Sequence, residues 1–283
     1  MPEPLALAER ATGRRALLQK RLVGGESSEV YKVLLEGGGA VVVRLHADPS
    51  VYAATRRNLE LLAGLGLPVP KVLLEERGAL VLARIPGTDL RFVLPQLSDA
   101  QIGTIAERVA GYQRTVIASL GLGRGYGWVG IGEAGPHATW KDAIGLKRQT
   151  DARLLAAAKS LGDYLDHVAP TGHLDDITGK NVLIENGELA GLIDFDVVCY
   201  GDPHFWLGLT AAGVLADCGP RELRYSNALT AAFGVDAAGR RAAAFYSAWI
   251  AAEFVERFAE SEPTEWRARM EAGIDRWLTE AAS

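Results

Sequence analysis

The chain has 283 residues, 48% hydrophobic and 23% charged, enough apolar material for a sizeable core in one large domain or two smaller ones. Its formal net charge of -5 argues against nucleic acid as the main partner, since phosphate backbones call for a concentrated excess of Lys and Arg. Only two cysteines occur, Cys199 and Cys218, the N-terminal segment lacks a signal-peptide core, and no apolar run is long enough for a membrane span. A cytoplasmic protein with no membrane partner is therefore expected.

Residues 3–20 have the spacing of a short amphipathic helix with a basic end. The period then shortens. VYKVLL (30–35) and AVVVRL (40–45) are β-branched runs separated by three glycines, a hairpin signal, and a glycine-containing turn at 22–30 precedes them. Residues 51–65 return to helical spacing until Pro68 and Pro70 stop them, and 71–76 and 78–85 read as two further strands. The first 86 residues thus predict a mostly antiparallel sheet with one helix between strands. From 98 onward the pattern is helical, with candidates at 98–120, 140–166, 220–233, 236–260 and 263–282. Two short strands, 181–185 and 189–195, interrupt them around a tight Asn186-Gly187 turn. The expectation is an α+β chain with a small β lobe over 1–86, a larger and mainly helical lobe over 87–283, and a hinge near Pro86-Gly87.

The chemistry is concentrated in 173–203. Asp176 and Asn181 stand five residues apart on a loop, and Asp194 follows the second strand of the hairpin. Closing that hairpin would bring Asn181 and Asp194 to its open end. An amide oxygen and a carboxylate suit a hard cation such as Mg²⁺, and the upstream Asp176 is left to face a reacting hydroxyl. Phosphoryl transfer needs this division between metal and proton chemistry.

These residues resemble the catalytic and metal loops of the aminoglycoside phosphotransferase and choline kinase superfamily, whose pattern is H-G-D-x-x-x-x-N followed by I-D-[FW]. The resemblance implies a protein-kinase-like bilobal fold, ATP or GTP as the phosphate donor, Mg²⁺, and transfer to a hydroxyl of a small molecule. It implies Asp176 as catalytic base and Asn181 and Asp194 as metal ligands. Tyr200-Gly201-Asp202-Pro203 is similar to the family's G-D-P, whose carboxylate helps hold the catalytic loop. His173 stands one position early for H-G-D. Alignment on it would make Asp175 the base, whereas the spacings to Asn181 and Asp194 select Asp176. Asp196 occupies the glycine position of D-F-G, where it could add a carboxylate near the metal.

Toward the N-terminus, Gly24, Gly25, Ser27 and Ser28 resemble the nucleotide-positioning loop. Arg44 takes the place of the family's strand lysine and can hold phosphates bidentately. Thr55 stands where the helix glutamate that pairs with that cation is usual, and Glu60 is the only acid in that helix. Ala83 and Ile85 fall on the segment that would hold the base through backbone groups. His173 reads as structural, both cysteines as buried, and Trp249, Trp266 and Trp277 as packing residues. Trp206 and Asp202 are candidates for lining an acceptor pocket, and Glu253, Glu256 and Glu260 for binding a cationic acceptor, against the plainer reading of a solvated helix face. An antibiotic acceptor of aminoglycoside or macrolide type leads. A metabolite kinase of choline, homoserine or sugar type stays open, as does a nucleotide-binding module without catalysis. Oligomeric state is not legible.

Overall fold

In the computed structural model, which describes residues 3–22, 28–258 and 260–283, the N-terminal helix is shorter than its spacing implies. α1 (Pro4–Thr12) ends where Gly13 takes φ 67, a left-handed turn that glycine adopts without a Cβ clash, and Gly13 N–H closes onto Glu9 O. Residues beyond it then pair along the edge of the next strand. β1 (Ala16–Leu22) runs antiparallel to β2 (Glu29–Leu35), from Ala16 opposite Leu35 to Leu22 opposite Val30. The second half of the expected 3–20 helix is therefore a strand. β3 (Ala40–Leu45), α2 (Tyr52–Gly64), β4 (Val72–Glu76) and β5 (Ala79–Ala83) complete a five-stranded sheet of order β1-β2-β3-β5-β4, antiparallel throughout. Val33, Leu35, Val41, Val43 and Leu45 alternate onto one face with Ala79 and Val81. Leu7 and Ala8 of α1 close over them. Each such Val or Leu contributes ~2 kcal/mol by leaving water.

Two compact units emerge, one of residues 1–86 with 190–197 and the other of 87–189 with 198–283. The segment carrying Asp194 and Asp196 thus belongs to the first. In the second, β6 (Thr88–Asp89) and α3 (Leu90–Val93) lead to α4 (Asp99–Leu120). Ser98 and Gln101 form a reciprocal capping box at the start of α4, close to the boundary that the sequence implies. β7 (Gly127–Val129) follows. The expected 140–166 helix is broken into α5 (Trp140–Ala143) and α6 (Ala152–Ser160), because Gly145 takes φ 73 and diverts the chain after one turn. β8 (Thr171–His173) precedes the hairpin of β9 (Val182–Glu185) and β10 (Glu188–Leu192), whose turn has φ 54 at Asn186 and φ 80 at Gly187. β11 (Val198–Gly201) lies between β7 and β8 in a three-stranded sheet. α7 (Phe205–Asp217), α8 (Arg224–Phe233), α9 (Ala237–Phe258) and α10 (Thr264–Ala282) form the helical body.

α7 has no counterpart among the expected helices. Ten of its thirteen residues are buried, so FWLGLTAAGVLAD is apolar on every side and carries no amphipathic period to read. Trp249, Trp266 and Trp277 pack in the interior as expected, and so does Trp206. Cys199 is buried, whereas Cys218 is only partly so. Among the described residues, no helix is long and apolar enough to cross a membrane.

Candidate active site

The loop after β8 is fixed from several directions. His173 ends that strand opposite Cys199 of β11 and is fully buried, with Nδ1 2.9 Å from Thr171 O. A carbonyl only accepts, so Nδ1 carries the proton and Nε2 is left bare in the interior. Burial lowers the pKa of this imidazole to about 4. Gln113 of α4 clamps both backbone groups of Leu174, accepting from its N–H at 3.1 Å and donating to its carbonyl at 2.6 Å. The Thr210 hydroxyl of α7 donates to Ile177 O at 3.3 Å, and Arg91 N–H of α3 donates to Gly179 O at 3.1 Å.

Between these anchors the two neighbouring acids part. Asp175 accepts from Trp128 Nε1 at 2.5 Å. Burial, with the charge of Asp176 adding to it, raises its carboxyl to about 7. The Asp176 side chain stays 32% exposed, with the Thr178 hydroxyl donating to Oδ1 at 2.8 Å and Lys180 Nζ 3.3 Å from Oδ2. Asn181 donates its backbone N–H to Thr178 O and its side-chain Nδ2 to Asp176 O, each at 2.9 Å. Its amide nitrogen is thereby committed, and the oxygen is the end that can meet a hard cation.

His173 and Asp175 give opposite pH dependences of stability. Below pH 6.5 the unfolded chain protonates His173 while the folded chain resists down to about 4, so stability falls on acidification through that window. Asp175 keeps its proton up to about 7 when folded but releases it near 3.8 when unfolded, so stability falls as pH rises between those values. The melting temperature of Asp175→Asn is expected to drop more steeply than the parent's on acidification through the His173 window. That of His173→Gln should drop more steeply with rising pH. Parallel melting-temperature profiles for all three proteins would contradict both assignments.

In the first unit, the site residues gather around Arg44 on β3. Its Nη1 and Nη2 grip Asp196 at 2.9 and 2.5 Å, and Nη1 stands 3.4 Å from Asp194 Oδ1. Its guanidinium carbon lies 5.4 Å from the centre of the Tyr52 ring, within cation–π range. α2 fastens the other side of the pair. Thr55 Oγ1 donates to Asp196 Oδ1 at 2.9 Å, and Asn58 Nδ2 donates to the carbonyls of Phe195 and Asp196, each at 3.0 Å. Glu60 pairs with Arg56 at 2.8 Å, so it is not the partner of Arg44. Asp194 itself takes φ 71, a left-handed conformation uncommon outside glycine and of the kind found where side chains are held for function.

Of the remaining candidates, Ser28 Oγ accepts from the Tyr52 hydroxyl at 2.9 Å, while Gly24, Gly25 and Ser27 lie outside the described residues. Ala83 ends β5 with its N–H already donated to Lys71 O at 2.8 Å, which leaves only its carbonyl for a base edge. Ile85 lies against the Gly191 backbone, where an added Cβ would come 2.6 Å from Ile85 Cδ1. Asp202 and Trp206 differ from the acceptor-lining expectation, because both are withdrawn from solvent. Trp206 is 0% exposed and meets Phe233 edge-on. Asp202, 1% exposed, accepts from His204 N–H at 2.9 Å and from the Tyr246 hydroxyl at 2.7 Å, with His204 Nδ1 at 2.8 Å. Burial opposes its charge, but these partners outweigh it and hold the carboxyl below the ordinary Asp range. Glu253 accepts from Trp249 Nε1 at 2.9 Å and, like Glu256 and Glu260, is at the surface.

Gln113, Trp128, Thr178, His204 and Tyr246 were not anticipated as site residues. Thr178 alone lies inside the recognisable motif. His204 directly follows the motif and bonds to Asp202 two residues back, whereas Gln113, Trp128 and Tyr246 reach the motif from segments more than forty residues away, where no spacing rule connects them.

A family model described as the phosphotransferase enzyme family matches residues 19–246. Solved structures similar to the chain include a thermostable mutant of aminoglycoside phosphotransferase APH(4)-Ia in ternary complex with AMP-PNP and hygromycin B. It is 20% identical with a TM-score of 0.69, over 100% of both chains. A candidate fructosamine-3-kinase from Thermobifida fusca YX-ER1 is 17% identical with a TM-score of 0.63, over 99% of this chain and 98% of that one. The GDP complex of aminoglycoside 2′-phosphotransferase-IIIa is 15% identical with a TM-score of 0.64, over 97% of each. At these identities the likeness is one of fold, the protein-kinase-like α+β fold. No curated protein sequence matches the chain.

Proposed function

Because the chain belongs to the phosphotransferase enzyme family, we propose that it transfers the γ-phosphate of ATP or GTP to a hydroxyl of a small molecule, with Asp176 orienting that hydroxyl and accepting its proton. The observation that carries this reading is the loop from Asp176 to Asn181. One carboxylate there is kept open and aimed by the Thr178 hydroxyl, while its neighbour Asp175 is held by Trp128. Asn181 and Asp194 offer the oxygen donors that Mg²⁺ prefers. When bound, that metal neutralises phosphate charge. Arg44 holds donor phosphates, the 24–28 segment is assigned the same role, and the Ala83–Ile85 segment takes the base.

For the acceptor, the reading is an antibiotic of aminoglycoside or macrolide type. Hygromycin B occupies a similarly folded enzyme, and a net charge of -5 with surface acids at Glu253, Glu256 and Glu260 suits a polycation. A metabolite acceptor is the second reading, favoured by the likeness to the candidate fructosamine-3-kinase. ADP release with Mg²⁺-ATP should be measured against a panel of aminoglycosides, macrolides, choline, homoserine and glycated amines, with the phosphorylated product identified by mass spectrometry. Turnover on an aminoglycoside or macrolide is expected. Turnover confined to a metabolite would replace the antibiotic reading, and nucleotide binding without any transfer would make the chain a binding module.

A further inference from the structure

We infer that Asp196 is the positioning carboxylate of Arg44, standing in for the missing helix acid at Thr55; the inference rests on the phosphotransferase reading above. The sequence places Asp196 where a second metal-side carboxylate could be expected, and it leaves the strand cation without a partner on the following helix. The structure resolves both points with one interaction. Both carboxylate oxygens of Asp196 are taken by the two terminal nitrogens of Arg44, the parallel two-bond geometry that fixes a guanidinium in plane as well as in place.

The side chain of Arg44 is only 13% exposed, so it requires a counter-charge close by. Asp194 is too far to be the main one, at 3.4 Å through a single oxygen, against 2.5 Å for Asp196. Glu60 is turned to Arg56. Helix α2 still takes part, but through neutral groups. Thr55 donates to the same Asp196 oxygen that Arg44 Nη1 contacts, and Asn58 holds the backbone carbonyls of Phe195 and Asp196. A helix acid pairs with the strand cation directly. Here the acid has moved to the segment after β10, and the helix holds the acid instead. With three donors on its two oxygens, Asp196 is spent on this role, and Asp194 is left as the metal-side carboxylate.

This arrangement predicts a specific rescue. In Asp196→Gly the guanidinium loses its counter-charge and its orientation. In Thr55→Glu/Asp196→Gly, a carboxylate from α2 can enter the volume that the Asp196 side chain vacates. Calorimetric titration with AMP-PNP at saturating Mg²⁺ is the measurement. Asp196→Gly and the isosteric Asp196→Asn should each bind about ten-fold more weakly, and the double variant should recover most of the loss. Rescue by a glutamate from a different element is a result that a merely structural role for Asp196 would not produce.

Parental affinity in Asp196→Asn would overturn the inference, and so would a double variant that melts cooperatively yet binds no better than Asp196→Gly. If the parent protein bound neither ATP nor GTP, the phosphotransferase reading would itself fall and the inference with it. Parental binding with unaffected Asp196 variants would remove the ion-pair role alone.

Discussion

Asp176→Asn is expected to lower turnover by about 10²–10⁴-fold, the range a positioned general base supplies, with little change in stability. An asparagine oxygen can still accept from Thr178, and the loop's other anchors, Gln113 on Leu174 and Thr210 on Ile177, do not involve the Asp176 side chain. What disappears is the proton acceptor. Asp175→Asn should behave differently, because Asp175 is held by Trp128 and its carboxyl already retains a proton up to about 7. Its effect should appear mainly in the pH dependence of stability, with turnover reduced far less. Steady-state rates for the two variants, on whichever acceptor the panel identifies, decide the point. If Asp175→Asn abolished turnover while Asp176→Asn left it intact, the base would be the residue that alignment on His173 selects.

Asp202→Ala is expected to destabilise the fold by about 3–5 kcal/mol, the usual consequence of removing one partner of a buried charged network. The alanine would leave the Tyr246 hydroxyl and the imidazole of His204 without the oxygens they now share. Tyr246 in turn accepts from Trp140 Nε1 at 2.7 Å, within a cluster of edge-on rings that includes Trp128 and Phe205. Such a loss is a large part of a typical stability of about 5–15 kcal/mol. Because Gly201 pairs with Thr171 on β8, the loosened corner adjoins the strand that leads into the catalytic loop. Residual folded protein should therefore also turn over more slowly. Urea unfolding measures the first effect, and an unfolding free energy within about 0.5 kcal/mol of the parent's, the range of ordinary surface changes, would show that Asp202 anchors nothing.

Legibility along the chain followed the range of the interactions involved. α4, α9 and α10 lie close to the expected 98–120, 236–260 and 263–282. α4 and α10 repeat an apolar face over five or more turns and α4 starts at a capping box, whereas α9 is buried along 242–251 without such a face and is rich in alanine, the strongest helix former. Local signals failed where a single residue or a distant partner took control. Gly13 stopped α1 and left 16–22 to pair with β2, and Gly145 cut the 140–166 helix. α7 offered no period because it is surrounded by protein on all sides.

By itself the sequence determined the α+β class, the family, and a short run of acids and an amide at intervals suited to phosphoryl transfer, since these depend on neighbours in the chain or on fixed spacing. Only the tertiary structure decided which groups hold those residues. It showed that Trp128 occupies Asp175 while Asp176 stays open, that Asp202 is an interior anchor, and that Arg44 finds its counter-charge in Asp196, more than a hundred residues away. The reason is physical. A hydrogen bond or ion pair depends on distance in space and on access to water, and pairing across long loops leaves no periodicity in the order of residues from which to read it.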